Sequence, residues 1–234
     1  MVQDANDSEG TGVWANLEAI STHVPAPSLT AAHYLRLASA SYDLRASINR
    51  SLGTLTPSSI KLDAEKKAIF LQDLHKAVYA AVLSCFIQGL DLLLRASERE
   101  GWNLRLDEVV RIWRAGCIIR SDYITDLLER HFIDHPNQHP LLGDEICGQI
   151  RRCLPSLKDI VLRGIGADAC VPALSATLDY LKYSGSVDLP TCFMEAQLDA
   201  FGAHGYQLKS EKAASSIKGK HHNSWSQSEK STVK

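Results

Sequence analysis

Apolar residues recur at intervals of three and four over most of this 234-residue chain, which is the spacing of one face of an α-helix. The longest such stretch begins after Asp63, a candidate N-cap, and ends at Gly101, a residue typical of helix C-termini. Its apolar surface broadens after Val78, as expected for a helix that is buried on several sides. No convincing pair of strands joined by a hairpin turn accompanies it, so the pattern predicts an all-α fold.

The same pattern predicts shorter helices before and after the long one. Ser28, which follows two prolines, is a candidate N-cap for the second helix. Polar, proline-containing or glycine-containing stretches predict loops at 53–59 and 131–140 and a bend at 202–205. The predicted shorter helices are 13–20, 28–52, 106–124, 125–132, 143–153, 155–162, 171–183 and 191–201.

Both ends of the chain are polar and indicate exposed segments. We predict a flexible N-terminus at 1–9, a helical domain at 10–208 and a polar tail at 209–234, in which His221 and His222 are solvated. The first residues lack the pattern of a signal peptide, and the apolar run 77–94 contains Gln88 and Asp91, which favours a core helix over a membrane span. These features predict a cytoplasmic protein.

Composition excludes several other classes of function. Lysine and arginine number 25 against 27 acidic residues, and this balance gives a formal charge of −2 that argues against a nucleic-acid or membrane partner. The six cysteines are scattered without metal-ligand spacing, which predicts reduced thiols and no bound metal. No glycine-rich dinucleotide motif is present, and we expect no cofactor.

Several short motifs, in a fixed order, resemble one family. They are Gly10-Thr11-Gly12-Val13-Trp14, the stretch from Lys66 to Leu74, Gly101-Trp102-Asn103-Leu104, the run Trp113-Arg114-Ala115-Gly116-Cys117-Ile118-Ile119-Arg120-Ser121, Phe201-Gly202-Ala203-His204, and His222 with Trp225. Together they resemble the all-helical C-terminal domain of 6-phosphogluconate dehydrogenase. The resemblance covers nearly the whole chain and omits that family's NADP-binding domain and catalytic lysine and glutamate.

The resemblance implies a homodimer that forms through the central helices and the tail, which would cross to the partner subunit. It also implies a substrate pocket to which both subunits contribute. Thr11 matches the family's substrate-contacting threonine, Arg36 the arginine that holds the substrate phosphate, and His204 the partner-subunit histidine. We take Arg36 and His204 as candidate catalytic residues, and Thr11 and Ile119 as candidate substrate contacts. Trp113, Arg114 and Arg120 more simply serve helix packing.

Other family positions differ in this chain. Glu9 stands where the family has a lysine, Leu198 where it has a second phosphate-binding arginine, and Ala200 where it has a tyrosine. A buried phosphate needs several charged donors, so tight binding of 6-phosphogluconate is not expected. Glu9 and Leu198 are accordingly candidate contacts for a different substrate.

Three functions remain open at this point. The first is a cofactor-independent enzyme that isomerises or cyclises a small, mostly apolar metabolite in a specialised biosynthetic pathway, a pericyclic Diels–Alder-type closure being one form. The second is a non-catalytic relative that dimerises with a full-length homologue or binds a sugar phosphate. The third is a dehydrogenase half that a separate cofactor-binding chain completes. We do not expect dehydrogenase activity from this chain alone.

Overall fold

The computed structural model describes residues 10–53, 56–209, 211 and 221–225. Within them the chain is helical apart from loops, one 3-10 turn at Pro140–Leu142 and an isolated antiparallel bridge between Tyr206 and His221. The predicted all-α class is therefore confirmed. The helices are α1 Gly12–Ser21, α2 Pro27–Ala40, α3 Tyr42–Leu52, α4 Ala64–Glu100, α5 Leu106–Gly116, α6 Asp122–Asp134, α7 Asp144–Gly166, α8 Pro172–Ser184 and α9 Thr191–Gly202.

The long helix α4 begins and ends where the sequence predicts. The side chain of Asp63 accepts a hydrogen bond from the backbone N–H of Lys66 at 2.8 Å, so one of the unpaired amides of the first turn is satisfied. Gly101 adopts a left-handed conformation with φ of 68° just past the last turn, which glycine does without a steric penalty.

α4 lies at the centre of the core. Its middle packs against α5, α6 and α7, and its first half packs against α7 and α8. By length and composition this helix could cross a membrane, but 67% of its most apolar window is buried inside the protein. It is therefore the core helix that the sequence predicts. Its buried apolar residues include Ala77, Ala80, Leu83, Phe86, Ile87, Leu90 and Leu94.

Two predicted helices are broken in the structure. The predicted helix 28–52 divides at Ser41, which ends α2 and begins α3, and the predicted helix 106–124 divides at 117–121. Cys117 and Ser121 are extended there, with ψ of 153° and 104°. Hydrophobic periodicity continues across both breaks. At 117–121 the reason is that α5 and α6 bury apolar faces in the same core, whereas the apolar residues of α3 repeat with helical spacing but stay exposed.

Two predicted boundaries are also wrong. α7 runs without interruption through Pro155, where two helices were predicted. Proline removes one helical hydrogen bond, and the packing of Cys153, Leu157 and Ile160 against α4 offsets this loss. Ser28 is not the N-cap of α2 but lies inside its first turn, fully buried, with Pro27 as the first helical residue.

The chain divides into two compact units, residues 1–182 and 183–234. The first contains α1 to α7 and nearly all of α8. The second contains α9 and the segment that follows it. The limits 10–208 of the predicted helical domain stay a prediction.

Candidate ligand-binding site

The motif around Trp113 is a packing element of the first unit. The Trp113 ring meets Phe86 edge-to-face at 6.0 Å, and Arg114 forms ion pairs with Asp126 and with Glu129, the latter at 2.8 Å. These contacts join α5 to α4 and α6, so the predicted packing role of Trp113 and Arg114 is confirmed. Ile119 lies in the turn between α5 and α6 and is 46% exposed, and its role as a substrate contact stays a prediction.

Thr11 and Arg36 both lie near the contact between α1 and α2. The start of α1 touches α2 closely, because a side-chain carbon at Gly12 would lie 2.7 Å from Nδ1 of His33. Arg36 follows His33 by one helical turn and so shares its face of α2. Both Thr11 and Arg36 are exposed, as a role in ligand binding requires. Glu9, the third candidate in this part of the chain, lies outside the described residues.

In the second unit, a tight turn follows α9. Ala203 and Gly205 both have positive φ, 51° and 72°, and they reverse the chain within three residues. Gly202 leaves room for the imidazole of His204, since a side-chain carbon there would lie 2.9 Å from the ring. The turn thereby fixes His204 beside the end of the helix.

Asp199 is fully buried and organises this unit. One carboxylate oxygen accepts from the backbone N–H of Gly205 at 2.9 Å and lies 2.9 Å from Nδ1 of His222. The other accepts from the backbone N–H of Asn223 at 3.1 Å and from the indole N–H of Trp225 at 2.8 Å. Because an ionised carboxylate only accepts, Nδ1 of His222 carries a proton. Asp199 therefore binds both the turn after α9 and residues 221–225, which we call the docked segment.

These contacts decide the charge state of Asp199. Burial raises its pKa, but the hydrogen bonds from His222, Asn223, Trp225 and Gly205 favour the ionised form and together outweigh burial. The pKa of the carboxyl is consequently held well below its usual range, and the group is a fixed negative charge at physiological pH.

The docked segment has further contacts with the chain after α9. Tyr206 and His221 exchange two backbone hydrogen bonds, of 2.9 and 3.2 Å, and Nε2 of His221 lies 2.7 Å from a carboxylate oxygen of Glu211. The side chains of His221 and His222 are 36% and 52% exposed, so both meet solvent as predicted, but each also contacts a carboxylate, which was not predicted. Sequence reasoning missed this arrangement because its partners lie 10 and 23 residues apart, although Asp199, His222 and Trp225 all lie in motifs that carry the family resemblance.

A concavity of about 750 Å³ lies over these residues. It brings Leu198 and His204 together, two of the residues predicted to contact a ligand. Leu198, Leu208 and Trp225 are among its apolar lining residues, and Lys209, which also lines it, pairs with Asp188 at 2.5 Å. Such a site suits a small, mostly apolar molecule with a polar group to anchor. Its lining residues are Cys192, Glu195, Ala196, Leu198, His204, Gly205, Tyr206, Gln207, Leu208, Lys209 and Trp225.

Comparison with known proteins gives one consistent family. A family model of the 6-phosphogluconate dehydrogenase C-terminal domain matches residues 1–225. The decarboxylating 6-phosphogluconate dehydrogenase of Emericella nidulans is 43% identical over 229 residues, which are 96% of this chain and 46% of that protein. The enzyme of the same name from Staphylococcus aureus strain N315 is 29% identical over 208 residues, 89% of this chain and 44% of that protein.

A solved structure agrees in fold. Plasmodium falciparum 6-phosphogluconate dehydrogenase, described in its apo form and in complexes with its cofactor NADP+ and its substrate 6-phosphogluconate, superposes with a TM-score of 0.85 at 32% identity. The match covers 96% of this chain and 46% of that one. The chain thus spans somewhat less than half the length of the proteins that it matches.

Proposed function

The chain belongs to the 6-phosphogluconate dehydrogenase family through its C-terminal domain, and from this premise we propose that it binds a small, mostly apolar metabolite and isomerises or cyclises it. The observation that carries the proposal is the presence of Leu198 beside His204 in one cavity. By the family resemblance, Leu198 replaces an arginine that binds the substrate phosphate. The family motif around this position is retained, but the positive charge of the arginine is lost.

The consequence for a sugar phosphate is a loss of affinity. A phosphate dianion that leaves water needs charged donors, and arginine supplies two parallel hydrogen bonds to it. A lost charged hydrogen bond costs about 1.5–3 kcal/mol, which is roughly ten- to a hundredfold in affinity. A leucine at that position instead favours contact with an apolar group.

The reaction that we propose takes place within the bound molecule. A shaped apolar cavity holds a flexible substrate in a conformer that is ready to react, and this removes much of the entropic barrier to ring closure. The imidazole of His204 at the edge of the cavity serves as a hydrogen-bond donor or as an acid or base. By the family resemblance alone, Arg36 is proposed as the anchor for a carbonyl or carboxylate of the substrate. Cyclisation and isomerisation leave the mass of the substrate unchanged.

We also propose a homodimer, supported by apolar side chains left at the surface. On α1, Trp14, Leu17 and Ile20 are each more than 60% exposed, and on α4 Ile69 and Val78 are about half exposed. Clusters of this kind mark surfaces that a partner covers. Light scattering of the purified chain at several concentrations is expected to give twice the 25.7 kDa of the chain.

The same surface supports a second candidate function, pairing with a full-length homologue. Co-expression of the tagged chain with the dehydrogenase of its host distinguishes the two. A stable mixed dimer with no effect on metabolites would favour the non-catalytic role. A homodimer that leaves the dehydrogenase unbound would favour the enzyme.

Metabolite profiling tests the proposed reaction directly. A strain without the gene is expected to lose one product and to accumulate a compound of identical mass, and expression of the wild-type chain is expected to restore the product. His204→Ala and Arg36→Ala, introduced separately, are each expected to fail to restore the product. Accumulation of a compound that differs by two hydrogens would overturn the proposal, since it would indicate redox chemistry.

Calorimetry with 6-phosphogluconate tests the ligand class. The wild-type chain is expected to show no binding below millimolar concentration, whereas Leu198→Arg is expected to bind at least tenfold more tightly. Leu208→Arg places the same charge elsewhere on the same cavity and is the matched control, expected to gain less. Micromolar binding by the wild-type chain would contradict the proposal.

A further inference from the structure

Two walls of the cavity, the turn that carries His204 and the side chain of Trp225, are hydrogen-bonded to Asp199, a buried residue that does not itself line the cavity. The turn that carries His204 is held through the backbone N–H of Gly205, and the Trp225 ring is held through its indole N–H. Both donors bind the carboxylate of Asp199, which is fully buried behind them. The side chain of Asp199 therefore lies where its removal would alter both walls at once.

We infer that Asp199 is the positioning residue of the ligand site, and that the site takes a molecule with a flat, unsaturated group. This inference rests on the proposed function and deepens it. Asp199 would not touch the ligand. It fixes the docked segment on α9, so that Trp225 becomes part of the wall.

The four donors explain why this position requires a carboxylate. Each oxygen of Asp199 accepts from two donors, Gly205 and His222 on one side and Asn223 and Trp225 on the other. An asparagine offers one acceptor oxygen and one NH2 group. Turned toward Gly205, the NH2 group of the amide meets that backbone N–H, and turned the other way it meets the N–H groups of Asn223 and Trp225. In either orientation one of the two walls is released.

The aromatic character of the wall indicates the class of ligand. Trp225 and Tyr206 both line the cavity, and the centroids of their rings lie 6.4 Å apart with planes inclined at 53°. Aromatic faces favour stacked or edge-on contact with other flat π-systems over contact with saturated chains. A conjugated or aromatic portion of the substrate would lie against Trp225, with a polar group toward His204.

NMR spectroscopy of the full chain separates positioning from ligand binding. In the wild type, the Trp225 indole N–H and the Gly205 amide are expected to resonate downfield and to exchange slowly, because a buried carboxylate binds both. Asp199→Asn is expected to shift these signals and to speed their exchange at least tenfold. Trp225→Phe assigns the indole signal and removes one donor while it keeps a ring. Asp179→Asn, which removes an exposed carboxylate that pairs with Lys182, is the control and should leave both signals unchanged.

Two probes of equal charge then test the site. Titration with 2-naphthoate is expected to perturb the Trp225 and Gly205 signals of the wild type, with affinity at least tenfold above that of the saturated decahydro-2-naphthoate. Asp199→Asn is expected to lose this difference, and Trp225→Phe to keep part of it. Far-UV circular dichroism establishes that each variant retains its helices.

Two results would overturn the inference. If Asp199→Asn leaves the Trp225 and Gly205 signals in place, Asp199 does not position the walls. If the signals move but 2-naphthoate perturbs neither wild-type signal, Asp199 anchors the segment without serving a ligand site for flat molecules. Neither result decides the proposed function, which depends separately on the product formed by His204→Ala.

Discussion

Gln88 and Ser28 lie 60 residues apart and are joined by two hydrogen bonds. The Gln88 side chain accepts from the backbone N–H of Ser28 at 3.0 Å and donates to its hydroxyl at 2.8 Å. The Ser28 hydroxyl lies 2.8 Å from that of Thr177, which itself donates to the carbonyl of Ala173 at 2.8 Å. Ser28 must therefore donate to Thr177, and the network runs in one direction from α4 through α2 to α8. It fixes the first turn of the helix that carries Arg36.

Replacement of Gln88 by leucine is expected to destabilise the chain by about 1–3 kcal/mol. The leucine has nearly the same size, but it leaves the fully buried N–H of Ser28 without its acceptor. Urea denaturation followed by circular dichroism measures the change. Gln149→Leu, which removes a surface hydrogen bond to Tyr123, is the control and should change stability by less than about 0.5 kcal/mol. Equal effects of the two substitutions would contradict the assigned network.

Two glycines, Gly143 just before α7 and Gly148 inside it, are expected to respond to alanine in opposite directions. At Gly143, the first side-chain carbon would lie 2.7 Å from Nδ1 of His131 and 3.3 Å from the carbonyl oxygen of Pro140, and this crowding should cost about 1–3 kcal/mol. At Gly148, the nearest atom is the flexible end of Arg152 at 3.6 Å. Alanine there should stabilise the helix by about 0.5–1 kcal/mol, because glycine loses more backbone entropy on folding. Thermal denaturation of the two variants checks both signs.

Local signals in the sequence predicted part of the fold. The ends of α4 could be predicted from Asp63 and Gly101 because capping depends on a few neighbouring atoms. The break at Ser41 could not, since apolar residues recur with helical spacing on both sides of it. The path of α7 through Pro155 depends on packing against α4, which no local pattern reveals.

Some residues of the candidate site could be singled out from the sequence and others could not. Leu198 and His204 were singled out from a short motif, and the structure places both on one cavity. Asp199, in the same motif, was passed over because nothing in its immediate neighbours indicates burial. Its partners Asn223 and Trp225 lie 24 and 26 residues away, so only the folded chain shows why this carboxylate is present.

Glu129 is a further residue whose contribution to the stability of the fold depends on its burial. Its side chain is only 13% exposed and accepts from Arg111 and from Arg114, each at 2.8 Å. Glu129→Ala is expected to cost about 1–2 kcal/mol, since it removes two charged hydrogen bonds between α5 and α6 while each arginine keeps another partner. Glu98→Ala breaks a pair with Arg95 in which both side chains are more than half exposed, and the expected loss is below about 0.5 kcal/mol. Chemical denaturation of the two variants side by side tests this ranking.

His131 is a buried histidine at the end of α6 that packs against the loop before α7. One ring nitrogen lies 3.1 Å from the carbonyl oxygen of Gln138, and the other lies close to Gly143. Burial lowers the pKa of His131, the contact with the Gln138 carbonyl opposes this, and the nearby His135 lowers the pKa further while Asp134 raises it. The net direction is downward, so His131 is neutral in the folded chain near pH 7.

Stability is therefore expected to fall as the pH drops below about 6.5, the ordinary pKa of histidine. Between that value and the lowered pKa of the folded state, the unfolded chain binds a proton that folded His131 does not bind. Denaturation midpoints measured from pH 8 to pH 5 should be flat at first and then decline. His131→Gln should make the decline shallower without abolishing it, because burial also lowers the pKa of His139. His75→Gln, at an exposed position of α4, is the control. An unchanged slope in His131→Gln would show that His131 does not link protonation to folding.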